Sequence, residues 1–149
     1  PTDPINLYAI SKDCLRRTIK NMCERANVKW CWLRIFYPYG DGQNPNSLIP
    51  SLEKSIKEKK AFFEMSSGTQ IRDFVKVENV AQQLISLAIS PKGNGIYNGC
   101  SGNPKTLYDI VENKIKDSKS QIIIKTGIYP DRDDEPKAFW GDINKISNL

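Results

Sequence analysis

The sequence predicts an α/β fold. Amphipathic helical stretches alternate with short β-branched or aromatic runs, and turn residues punctuate the junctions between them. Its 149 residues suit one domain or one large part of a domain, and 39% hydrophobic against 26% charged residues is an ordinary globular balance.

A helix is expected over 8–27, where Leu15, Ile19, Met22 and Cys23 recur at helical spacing. The run 28–36, Val-Lys-Trp-Cys-Trp-Leu-Arg-Ile-Phe, follows as a strand buried on both sides. Residues 37–43, Tyr-Pro-Tyr-Gly-Asp-Gly-Gln, form a loop. Ser47 opens a second helix, with Pro50 in its first turn and Leu48, Ile49, Leu52 and Ile56 on one face. Short strands are expected over 61–65 and 74–77, a helix over 80–89 closed by Ser90-Pro91-Lys92-Gly93, and a strand over 96–98. Thr106 is the expected N-cap of a helix reaching residue 116, with Asp109 three positions on. A β-branched strand over 121–125 and a helical turn over 142–147 complete the order.

Composition narrows the chemistry. No apolar run is long enough to span a bilayer and no signal-peptide pattern is present, so no membrane partner is expected. Cys14, Cys23, Cys31 and Cys100 show no C-x-x-C spacing and the chain has no His, which argues against a zinc site and against His-based triads. The cysteines read as reduced, small core residues of a cytoplasmic protein. Lys and Arg number 22 against 17 Asp and Glu, a net charge of +5. The densest basic run, Lys54-Ser55-Ile56-Lys57-Glu58-Lys59-Lys60, mixes in acid and falls on an amphipathic helix, so it reads as a solvated face rather than a nucleic-acid surface. Anionic nucleotide ligands also suit a modest positive balance.

Tyr8-Ala9-Ile10-Ser11-Lys12 puts a phenol and an ammonium one helical turn apart on one face. A phenol titrates near pH 10, so proton exchange near neutrality needs its anion stabilised by about 3 pH units, roughly 4 kcal/mol. A neighbouring ammonium supplies part of that. Many ordinary helices carry such a pair, so the spacing alone leaves a plain surface helix open.

The downstream sequence supplies the context. After 28–43 come Ser67-Gly68-Thr69-Gln70-Ile71-Arg72-Asp73-Phe74-Val75-Lys76-Val77 and Gly95-Ile96-Tyr97-Asn98-Gly99-Cys100-Ser101-Gly102. In that order, with Tyr8 and Lys12 ahead of them, these segments resemble the C-terminal half of the extended short-chain dehydrogenase/reductase family. Its members are NAD(P)-dependent nucleotide-sugar epimerases, dehydratases and reductases. The resemblance runs from about residue 4 to residue 149.

It implies the C-terminal part of a Rossmann-type doubly wound sheet plus a small substrate-binding lobe. Residues 1–40 would be the sheet remnant, with the catalytic helix and the strand after it. Residues 41–149 would be mostly substrate lobe, with segments returning to the sheet. Tyr8 would be the general acid/base, and Lys12 would hold the nicotinamide ribose and lower the Tyr8 pKa. Tyr37 and Pro38 would pass close to the cofactor. Tyr37, Gln70, Arg72 and Arg132 would grip a nucleotide-diphosphate sugar, the arginines through the fork geometry of the guanidinium on phosphate oxygens.

The resemblance also implies what lies outside the chain. The family opens with a strand, a Gly-rich turn and a helix that seat the cofactor pyrophosphate. The nearest imitation, Gly93-Asn94-Gly95-Ile96-Tyr97-Asn98, lacks the last glycine and leads into a strand, so it reads as a turn. NAD or NADP would be bound mainly by an N-terminal half of roughly 100 to 200 residues ahead of Pro1, together with the catalytic Ser or Thr. The chain is therefore expected to be half an enzyme, inactive by itself. It would belong to a homodimer when full-length and self-associate when isolated, through apolar surface and an open strand edge.

Some positions depart from the family pattern. Tyr37 stands where dehydratases and epimerases usually carry an Asn that touches the nucleotide sugar. Glu64-Met65-Ser66-Ser67-Gly68 replaces the usual aromatic-glycine sequence, and Glu78-Asn79 stands where an acidic pair is common. This looks more like the nucleotide-sugar 4-ketoreductases of deoxysugar and O-antigen pathways. Two alternatives are a non-catalytic dinucleotide-binding relative and a basic nucleic-acid-binding module, the second supported only by net charge.

Overall fold

The computed structural model describes Pro4, residues 6–132 and residues 135–149. Helix α1 (Leu7–Arg25) starts at Asn6, an extended residue whose Oδ1 accepts from the Ala9 N–H at 2.8 Å. It closes at Asn27, which takes a left-handed φ of 54°, while the Val28 N–H donates to the Cys23 carbonyl at 2.8 Å. That is a Schellman closure with Asn in place of Gly. The helix matches its expected span to within two residues at each end.

Strand β1 (Cys31–Ile35) runs parallel to β6 (Gly95–Gly99), with Cys31 opposite Gly95 and Ile35 opposite Gly99. A glycine is required at 99, because a Cβ there would lie 2.9 Å from the Leu33 side chain. Cys31, Arg34 and Ile35 are exposed, which departs from a strand buried on both sides and agrees with the apolar surface and open edge expected of half an enzyme. The only strand partner of β1 among the described residues is β6, and α1 has no buried residue with which to cover a face.

Residues 37–39 are not loop, as expected, but strand β2 (Tyr37–Tyr39), parallel to β5 (Phe74–Lys76). The Tyr and Pro of this turn-like sequence pair because the chain leaves β1 still extended, and the Tyr37 N–H reaches the Asp73 carbonyl at 3.3 Å. Helix α3 (Val77–Ile89) follows directly and begins three residues before its expected start. At its far end Gly93 lies against the Leu87 carbonyl so closely that a Cβ would collide with it.

A separate core lies where α2 (Leu48–Lys57) and α4 (Leu107–Asp117) pack with the parallel pair β3 (Phe62–Glu64) and β8 (Ile123–Lys125). Leu52, Phe63, Met65, Val111, Ile115 and Ile122 are buried there. Full burial of such side chains contributes about 1.5–3 kcal/mol each, so this cluster dominates local stability. The helical period expected for α2 contributes Leu52 and Ile56, one turn apart, and α4 adds Val111 and Ile115 at the same spacing, which sequence reasoning did not single out. Thr106 caps α4 as expected, its Oγ1 accepting from the Asp109 N–H at 3.0 Å. Lys54 and Lys57 are on the solvated side of α2, with Glu58 within 3.9 Å of Lys54 and 3.2 Å of Lys60.

A three-stranded sheet joins these parts: β4 (Ile71–Arg72) lies between antiparallel β7 (Lys105–Thr106) and parallel β9 (Ala138–Phe139), and α5 (Asn144–Ser147) ends the chain. The sequence did not announce β4, β7 or β9, which are too short to carry a period. The cysteines correct a further expectation. Cys100 is buried, but Cys14 and Cys31 are exposed and Cys23 is half-buried, because α1 and β1 present those positions to solvent. No helix among the described residues is long and apolar enough to cross a membrane.

Candidate functional site

Two adjacent residues of the extended 71–76 segment set up the site by pointing to opposite faces, as successive strand positions must. Asp73, fully buried, turns away from the cleft. Its Oδ1 accepts from the Ser101 N–H at 2.8 Å and the Ser101 hydroxyl at 2.5 Å, and its Oδ2 from the Gly102 N–H at 3.1 Å. Arg72 turns toward the cleft and is only 2% exposed. Its Nη1 donates to the carbonyls of Ile71 at 2.9 Å and Lys137 at 3.4 Å, and Nη2 to Glu135 Oε2 at 3.0 Å.

Glu135 is shared. Its Oε1 accepts from Arg132 Nη1 at 2.9 Å, so one carboxylate bridges two guanidinium groups. Arg72, and after it Arg132, holds the Glu135 carboxyl below the usual carboxylate range despite some desolvation. On its other side the Arg72 guanidinium lies 5.4 Å from the Tyr37 ring centroid. Tyr37 packs in turn against Phe74 at 5.6 Å and edge-on to Phe139 at 6.3 Å.

Asp131 organises the neighbouring turn. It accepts from the Ser67 N–H at 3.1 Å, the Ser67 hydroxyl at 2.7 Å and Gln70 Nε2 at 2.6 Å. These donors, Ser67 first, hold its carboxyl below the usual range. The Gln70 amide is thereby oriented, with its Oε1 buried and without a hydrogen-bond partner among the described residues. Gly68 permits the turn, with φ of 74° and its carbonyl accepting from the Tyr108 N–H at 3.0 Å.

Tyr37, Gln70, Arg72, Arg132 and Glu135 together line a cleft of about 700 Å3, which Ser47 and Leu48 at the start of α2 also line. Four of the residues expected to contact substrate are therefore brought together by β2, β4 and the 129–132 segment. Pro38, Tyr8 and Lys12 are not among the lining residues. Tyr8 and Lys12 stand one turn apart on α1 as expected, with Lys12 Nζ 5.6 Å from the Tyr8 ring centroid, and Tyr8 is 73% exposed. The phenol and ammonium are thus neighbours on an open face.

Sequence reasoning missed Glu135 and Asp131. Glu135 lies three residues after Arg132, a spacing that could have suggested an ion pair, but nothing in the sequence showed that Arg72 would share it. Asp131 carried no signal, since its partners are 61 and 64 residues away. Among the described residues no group of His, Cys, Asp and Glu is placed to hold a metal ion.

Comparison with known proteins adds to this geometry. A family model described as the NAD dependent epimerase/dehydratase family matches residues 1–99. A dTDP-6-deoxy-L-talose 4-dehydrogenase (NAD(+)) of Aggregatibacter actinomycetemcomitans is 33% identical over 144 residues, covering 95% of this chain and 52% of the relative. A GDP-6-deoxy-D-talose 4-dehydrogenase of the same organism is 28% identical, covering 98% of this chain and 49% of its own. Among solved structures, UDP-N-acetylglucosamine 4-epimerase from Methanobrevibacter ruminantium M1, in complex with UDP-N-acetylmuramic acid, superposes with a TM-score of 0.85 at 26% identity, over 97% of this chain and 47% of that one. The chain spans about half the length of the curated relatives it matches. Nearly the whole chain superposes on about half of that epimerase, in keeping with the expected α/β fold that forms part of a Rossmann-type enzyme.

Proposed function

The chain belongs to the NAD-dependent epimerase/dehydratase family, and from that premise we propose that it serves NAD(P)-dependent oxidoreduction of a nucleotide-diphosphate sugar. One observation carries the reading: two guanidinium groups, Arg72 and Arg132, meet Tyr37 and Gln70 in a single cleft of about 700 Å3, a size that suits a nucleotide-sized ligand. In this reading the arginines bind diphosphate oxygens, Gln70 offers a fixed amide, and the Tyr37 ring packs beside the sugar while keeping Arg72 in place. The cofactor, NAD or NADP, supplies hydride acceptance and donation at its nicotinamide.

Tyr8 and Lys12 fit the face such a cofactor would share. The phenol exchanges a proton with a sugar hydroxyl or keto oxygen, and the ammonium stabilises the phenolate and holds ribose hydroxyls. Tyr37 and Pro38 approach the cofactor through the backbone. Residues 1–40 would then be the part of the sheet carrying proton transfer, and residues 41–149 mostly the substrate lobe. The two talose 4-dehydrogenase relatives favour oxidoreduction at sugar carbon 4 over dehydration, which agrees with Tyr37 in place of the usual Asn.

The test is a spectrophotometric assay of the natural full-length protein against dTDP-, GDP- and UDP-linked 6-deoxy and 4-keto hexoses, following NAD(P)H absorbance. Turnover with at least one is expected. Saturable binding of NAD or NADP without turnover on any nucleotide sugar would favour a non-catalytic dinucleotide-binding relative instead.

A further inference from the structure

The arginines of the cleft are already engaged by an internal anion. Arg72 is 2% exposed and fastened through Nη1 to two backbone carbonyls, so its guanidinium cannot swing away, and Nη2 is turned to a side-chain partner. That partner is Glu135 Oε2, while Oε1 of the same carboxylate takes Arg132. The other two reach solvent: the Arg132 side chain is 78% exposed and that of Glu135 38%. A carboxylate whose two oxygens each accept from a different guanidinium stands where two anionic oxygens of a diphosphate would accept from the same donors.

We propose that Glu135 is a displaceable counter-ion that occupies the pyrophosphate position between Arg72 and Arg132, so that a diphosphate ligand binds by exchanging with it. This deepens the nucleotide-sugar reading of the cleft and rests on it. A buried guanidinium left without an anion is costly, and Glu135 keeps Arg72 compensated until a ligand supplies its own negative oxygens. The exchange lowers apparent affinity by the fraction of molecules in which the carboxylate has moved aside, so an open fraction of one in ten weakens binding about ten-fold.

The experiment is titration calorimetry of the natural full-length protein and its Glu135→Gln variant with inorganic pyrophosphate, inorganic phosphate and a nucleoside diphosphate. Glu135→Gln keeps the shape and removes the charge. Pyrophosphate should bind the variant about ten-fold more tightly than wild type. Melting temperatures with and without pyrophosphate provide a second readout: the variant should melt lower alone and gain more from pyrophosphate. Equal or weaker pyrophosphate binding by the variant overturns the proposal, as does a loss of stability that pyrophosphate does not recover. Failure of the nucleotide-sugar reading looks different: pyrophosphate follows the expected pattern while the nucleoside diphosphate and its sugars bind no more tightly than pyrophosphate.

Discussion

Asp73 and Ser101, 28 residues apart in the chain, are joined by two hydrogen bonds to one carboxylate oxygen, at 2.8 Å from the Ser101 amide and 2.5 Å from its hydroxyl. The second oxygen holds the Gly102 amide. This fully buried carboxylate locks the segment after β6 to the segment that carries Arg72, so the position of the cleft depends on it. Replacing Asp73 with Ala strands two backbone N–H groups in the interior. Asp73→Ala should therefore lose about 3 kcal/mol of unfolding free energy, a sum of charged hydrogen bonds each worth about 1.5–3 kcal/mol less partial relaxation. Urea denaturation of the natural protein and the variant measures it.

Proton transfer is tested at Tyr8. Tyr8→Phe keeps the ring and removes the hydroxyl, so turnover should fall about 100-fold or more with little change in cofactor binding. Lys12→Met should harm both, since the ammonium is assigned to the phenol and to the cofactor ribose. Steady-state kinetics and cofactor titration on the natural full-length protein separate the two, and near wild-type turnover in Tyr8→Phe would refute the assignment.

Arg72 should act on substrate capture. Arg72→Ala removes a charge-assisted contact and should raise KM for the nucleotide sugar about ten-fold or more while kcat changes less. Arg72→Lys should recover only part of this, because an ammonium cannot span the backbone carbonyls and a phosphate at once.

Asp131 gives the fold an acid limit. Its carboxyl is held below the usual carboxylate range by Ser67, Gln70 and Ser66, so protons bind it more readily in the unfolded chain. Its stabilising contribution is complete above about pH 4 and is lost as pH falls through the depressed native value. Asp131→Asn should be less stable at pH 7 and show a shallower loss of stability below pH 4. Melting curves from pH 2 to pH 7 check this.

Thiol reactivity should divide the cysteines. Burial, and after it the charge of Asp73, pushes the Cys100 thiol up to about 11, while Cys14 and Cys31 are exposed. At pH 8 a maleimide should label Cys14 and Cys31 rapidly and leave Cys100 unlabelled until the protein is denatured, as read by peptide mass spectrometry.

Local chemistry in the sequence determined the elements with a clear period or cap. The α1 span, Thr106 at the head of α4, and the Leu52 and Ile56 stripe of α2 were legible because helical spacing and capping act over three or four residues. The motif order around Tyr8, Gln70 and Arg72 likewise pointed to the family. What only the tertiary structure decided depends on contacts dozens of residues apart. Strands β4, β7 and β9, two residues each, exist because Ile71 and Arg72 find partners at 105–106 and 138–139. The exposed faces of β1 and α1 follow from which neighbours lie beside them, and no residue in 28–36 encodes that. The cleft shows the same division: the sequence marked Arg72 and Arg132 as separate cations, and folding placed the Glu135 carboxylate between them, because a buried guanidinium needs an anion that local sequence does not name.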